Sequence, residues 1–178
     1  MLEKNKTQNP IEVVCIPNTL EKSLQGKYFI GQTETLIIGQ DLNAWGGLIN
    51  PEHSGVNLFN TVVTITNFSE TSFLAQFWFN STPPGTGTVS DQVSPSNTSL
   101  FPLPKPKVEL QFVQSVSGTP TGGVNIYNRL VPPKATLVSE EDGKLIFSSQ
   151  GTFVIYLVSP GPELIQARIA FGWMEEKC

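Results

Sequence analysis

Ile165-Gln166-Ala167-Arg168-Ile169-Ala170-Phe171-Gly172-Trp173 decides the fold of this chain. Ile165, Ala167, Ile169, Phe171 and Trp173 fall on one side of an extended backbone, while Gln166, Arg168 and Gly172 fall on the other. Side chains alternate with a period of two only in a β-strand, so this stretch predicts a strand with one dry face. Working outward, Val108, Leu110 and Phe112 alternate in the same way with Lys107, Glu109 and Gln111. Thr152–Val158 (TFVIYLV) and Phe73–Phe79 (FLAQFWF) are apolar on both faces, which predicts central strands between packed layers. Val56–Asn67 is a long β-branched run, and Asp142-Gly143 before Lys144–Phe147 is a tight-turn signal. About nine or ten strands are expected and no convincing helical period.

Many short strands punctuated by Gly and Pro, with no strand–helix–strand rhythm, predict an all-β protein. The expected architecture is a single β-sandwich, jelly-roll or immunoglobulin-like, with Phe77, Phe112, Phe153, Phe171 and Trp173 filling its core. Residues 1–22 read as an extended N-terminal arm and 23–178 as the sandwich domain. Residues 81–107 interrupt the strand rhythm with Pro83, Pro84, Pro95, Pro102, Pro104 and Pro106. A loop this long is usually functional or disordered. Three readings stand: a crossover strapped across its own sandwich, a strap on a neighbouring subunit, or free chain.

Composition narrows the function. The chain has 178 residues, 15 glycines, 14 prolines and only 15% charged residues, well under the roughly 25% usual for soluble domains. A net charge of −4 argues against nucleic acid, whose binding needs a basic face. No apolar run is long enough for a membrane span and no targeting signal is visible, so synthesis in a cytoplasm is expected.

The catalytic inventory is thin. His53 is the sole histidine and sits in a Pro/Gly-flanked loop, with no metal-ligand spacing and no nucleophile elbow around it. No phosphate-binding glycine motif occurs. Glu140, Glu141 and Asp142 diverge from one turn, and Glu175-Glu176-Lys177 reads as a solvated tail. The expectation is a protein that is not an enzyme, with no catalytic residues, cofactor or metal. Asn67, Asn80 and Asn97 match the glycosylation pattern and read as turn chemistry instead.

What remains points to contacts with other molecules. Cys15 lies in the arm and Cys178 ends the chain, with no cysteine between them. Val13, Val14 and Ile16 flank Cys15 and give the arm β-propensity, so this segment is a candidate for pairing with a neighbour's sheet. Head-to-tail contacts of that kind generate filaments. Trp45, beside Gly46 and Gly47, reads first as a plug for one end of the sandwich; the alternative is a platform for stacking a sugar ring.

The runs Ser23–Phe29, Asn43–Leu48, Thr66–Ser69, Pro104–Val108 and Ala170–Glu175 resemble a domain-of-unknown-function family of spore-forming Bacillus and Clostridium relatives. The resemblance spans residues 23 to 176 and implies no activity. In architecture the chain is also similar to endospore appendage subunits, jelly-roll domains whose arm cysteines cross-link successive copies in a fibre. It departs from them in having one arm cysteine and a C-terminal one. These likenesses imply a self-assembling structural subunit of a fibre or surface layer, made without a signal peptide and finally at a spore surface or outside the cell. Cys15 and Cys178 would then serve as intersubunit candidates. A module binding a surface glycan is the alternative, and a phage or viral capsid or tail component a third reading.

Overall fold

The computed structural model describes residues 15–178. It begins with a short helix, α1 (Asn18–Leu24), followed by β1 (Tyr28–Gln32), β2 (Leu36–Ile38), β3 (Asn43–Ile49), β4 (Val56–Asn67) and β5 (Phe73–Phe79). Then come β6 (Thr88–Val89), β7 (Val93–Pro95), β8 (Glu109–Val116), β9 (Val124–Val131), β10 (Thr136–Phe147), β11 (Thr152–Val158) and β12 (Ile165–Lys177). The opening stretch is β12, and it lies near the middle of its sheet.

Two antiparallel sheets pack face to face. The first runs β10-β4-β12-β1-β7, with β2 continuing the line of β1 along β12; the second runs β6-β8-β3-β11-β5-β9. The framework strands β1/β2, β3, β4, β5, β9, β10, β11 and β12 give four-strand orders of β10-β4-β12-β1 and β3-β11-β5-β9. From β1 to β5, and again from β9 to β12, successive framework strands lie in opposite sheets, the double Greek key of a jelly roll. The immunoglobulin-like alternative, which keeps β-hairpin neighbours within a sheet, does not have this order.

Period-two burial builds the core. Phe171, Trp173 and Ile169 of β12 meet Phe153, Ile155 and Leu157 of β11 in one cluster with Phe77 and Phe112. The residues expected on the dry face of β12 are all in it.

Strands β6, β7 and β8 are inserted between β5 and β9, and they explain residues 81–107. Thr88 and Val89 pair with Phe112 and Gln111 at the edge of the second sheet. Val93–Pro95 pairs with Phe29–Gly31 at the edge of the first. The segment therefore steps from one sheet to the other and closes one side of its own sandwich. On the opposite side the long strands β9 and β10 have no further strand beside them among the described residues.

Two local expectations are corrected. Asp142 and Gly143 both take left-handed backbone (φ 51° and 77°), but inside a continuing strand. The pairing with β4 jumps from Glu140↔Val62 to Leu145↔Asn60, so the pair makes a bulge instead of a hairpin turn. The second correction concerns the arm, whose residues 18–22 belong to α1 and are not extended. Gly26, at φ 70°, ends the helix: its N–H bonds to Ser23 O (3.0 Å) and the Lys27 N–H to Lys22 O (2.9 Å). Seven residues with none buried leave no amphipathic period to read.

Candidate interaction surface

The two outer faces of the sandwich differ. That of the second sheet is roofed. Trp45, Val154 and Tyr156 form a second cluster there with Val113, Val116 and Trp78 packed around it. Trp45 Nε1 donates to Pro84 O (2.7 Å), and the Tyr156 hydroxyl donates to Gly118 O. Trp45 is only 1% exposed, so no ring face is free to stack a sugar. The ring is buried, as a plug would be, and its N–H finds a partner, but it lies on the outer face of the second sheet and not at one end of the sandwich.

The outer face of the first sheet is open and concave. Register puts Gln32, Ala170 and Thr64 in one row, and Ile30, Gly172 and Val62 in the next. Small residues sit in the middle of each row, so the floor dips on β12. Asp91–Ser94 of the insertion walls the far side, enclosing a groove of about 540 Å³. Gly172 is required at the floor, since a Cβ there would lie 2.6 Å from Tyr28 Oη. Tyr28 Oη and Thr61 Oγ1 are 2.7 Å apart, and Thr61 Oγ1 donates to Gly172 O (2.7 Å). That bridge lies beside Gly172, next to the groove.

Just past the bridge lies the helix from which the N-terminal segment departs. Met174 is two residues along β12 from Gly172 and points to the same outer face, where Asn18 Nδ2 lies 3.9 Å from its sulfur. α1 is held mainly by polar contacts: Lys22 Nζ and Lys27 Nζ sit 2.6 and 2.9 Å from the Glu176 carboxylate. The Lys22 ammonium, helped by Lys27, holds the Glu176 carboxyl below its ordinary 4.5, and the same bond holds Lys22 above its ordinary 10.5. A depressed carboxylate contributes stability above its unfolded-state value and loses it as pH falls through the folded one. Amide protection of α1 is therefore expected to fall between pH 6 and pH 3, and Glu176→Gln to show the low-pH level already at pH 6. Hydrogen exchange corrected for intrinsic rates checks this; equal protection at both pH values would contradict it.

Around α1 the surface is unusually apolar. Leu20 and Leu24 of the helix are exposed, and the loop Leu100–Pro104 packs against its C-terminal Gly26. Phe101 projects from that loop at 98% exposure, with Leu103 beside it.

Cys15, Ile16 and Cys178 are exposed, and both thiols are free. Cys178 Sγ lies 3.5 Å from Asn57 Oδ1 at the end of β12. Val13 and Val14 lie outside the described residues. His53 is exposed in its loop, and among the described residues no group of three or more His, Cys, Asp or Glu is placed to hold a metal. No helix among the described residues is long and apolar enough to cross a membrane. Asn67 Oδ1 accepts from Ser69 N–H (2.9 Å), and Asn97 Oδ1 from Ser99 N–H (3.1 Å), as turn chemistry requires.

The tail reading of Glu175 is corrected. Glu175 is 6% exposed. Its carboxylate accepts from the N–H groups of Lys107 (2.9 Å) and Val108 (3.0 Å) and from Trp173 Nε1 (3.1 Å). The alternation of β12 runs on through residue 175, a signal that two acidic neighbours and a lysine obscure.

These features define a jelly-roll domain with one roofed face, one grooved face and an apolar corner where its N-terminal segment departs. The chain belongs to the family of unknown function DUF6143, whose model matches residues 1–178. No curated protein and no solved structure matches it.

Proposed function

We propose that this protein is a non-enzymatic structural subunit that self-assembles, its N-terminal arm docking on a neighbouring copy to build a fibre or surface layer. The observation that carries the reading is the apolar corner formed by Leu20, Leu24, Phe101 and Leu103 beside the departing chain. An isolated exposed leucine is ordinary, but exposed apolar groups gathered at one place mark an interaction site. The low charge of the chain supports the same reading, because a close-packed polymer must pair or exclude each desolvated charge. The free thiols of Cys15 and Cys178 are available to a neighbour, and a spore surface is the setting that the resemblance suggests.

Sedimentation velocity tests it. The native chain is expected to form large species as concentration rises, with and without reductant. The Val13→Asp/Val14→Asp variant is expected to stay monomeric. If the variant assembles as readily as the native chain, the arm has no part in the contact.

A further inference from the structure

Resting on the self-assembly reading, we infer that the groove on the outer face of the first sheet is the receptor for the segment Ile11–Ile16 of a second copy, apolar except for Glu12. Four observations converge on it. The groove is built from Ile30, Val62, Ala170 and Gly172, with Thr64 and Gln92 on its rim, and Asp91 is the one charged residue lining it. An aliphatic strand with small polar neighbours matches such a lining, because apolar area is removed from water on both sides. Second, the strand edges left open among the described residues are poorer receptors, although Val124 and Leu130 of β9 and Val138 and Ile146 of β10 are exposed on them. β10 is broken by its bulge and carries Glu140, Asp142 and Lys144, and β9 presents Asn125, Asn128 and Arg129. Charge and bulges are how sheet edges repel added strands.

Third, the length of chain and its point of departure suit the groove. Residues 11–16 directly precede Pro17, and six extended residues reach about 20 Å. They depart from α1, which rests on Met174 on the same outer face as the groove. Fourth, Cys15, Ile16 and Pro17 are all exposed, and Pro17 is extended at φ −57°, ψ 139°. None of these three residues lines the groove of its own domain, and on the self-assembly reading the receptor belongs to the next copy. Arm and groove are different surfaces, which makes the contact heterologous and open-ended.

The test uses the full chain under reducing conditions, with two groove variants. Ala170→Trp fills the floor, and Ile30→Asp places a charge at a wall position that is 48% exposed and so outside the core. Each is expected to weaken self-association by roughly a hundredfold while circular dichroism and the unfolding midpoint stay near native values. Mixing either one, which keeps its arm, with Val13→Asp/Val14→Asp, which keeps its groove, is expected to give one-to-one dimers and nothing larger. Groove variants that assemble like the native chain overturn the groove and leave self-assembly standing. A native chain that stays monomeric at every concentration, including one whose arm lies in its own groove, overturns both.

Discussion

Phe153→Ala is expected to cost about 3–5 kcal/mol, the range for removing a fully buried phenylalanine. For a chain of this length that corresponds to a fall in Tm of roughly 10 °C. Phe153 sits near the start of β11, an interior strand of its sheet, and has no exposed surface. Its ring lies 5.6 Å from Phe79 and 6.2 Å from Phe77 within its own sheet. Across the sandwich it meets Phe147 at 5.7 Å and Phe171 at 6.1 Å. Truncation therefore opens a cavity between layers that two strands from each sheet would have to move to fill. Denaturant unfolding should show a lower midpoint with an unchanged slope. A loss under 1 kcal/mol would mean that the layers close over the gap and that the aromatic cluster does not hold them.

Glu175→Ala is expected to be as damaging, about 3–5 kcal/mol, for a different reason. The carboxylate is the acceptor for two backbone N–H groups at the end of the Pro-rich crossover and for the Trp173 indole. Removing it strands two buried donors, each at about 1–3 kcal/mol, and a half-buried one that water can reach. Glu175→Gln should fall between the two, since one oxygen still accepts while the amide NH2 faces other donors. The same measurement decides it: an alanine variant within 0.5 kcal/mol of the native chain would show that the crossover is fastened elsewhere. Because Glu175 ties residues 107–108 to β12, its loss should also speed exchange at Val108 before global unfolding.

The fold class was legible because burial and alternation coincide. β12 follows the period-two pattern from Ile165 to Phe171 and β8 from Glu109 to Phe112, and β11 is buried on both faces as its continuous apolar run requires. The choice between jelly roll and immunoglobulin-like sandwich was not legible, since it depends on which sheet each strand joins, and one strand's own pattern carries no record of its partners. Asp142-Gly143 shows the limit of turn chemistry. Left-handed backbone at two residues serves a bulge as well as a hairpin, and the pairing of β10 with β4 on both sides selects the bulge.

The interaction surface was legible only in outline. The arm stood out by its β-propensity, but the groove depends on Ala170 and Gly172, two small residues that say nothing until register sets them between Ile30 and Val62. Trp45 reads first as a plug, and it is buried, but on the outer face of the second sheet and not at one end of the sandwich. An aromatic beside two glycines looks like a ligand platform, yet the Pro84–Gly87 stretch of the insertion lies over it. That cover comes from about forty residues further along the chain, beyond the reach of local pattern.

The most direct test of the central claim is electron microscopy of the purified full chain at rising concentration, imaged beside the Val13→Asp/Val14→Asp variant. The account predicts ordered fibres or layers for the native chain, persisting in reductant, and dispersed particles for the variant. Dispersed monomers in both samples at every concentration would contradict it.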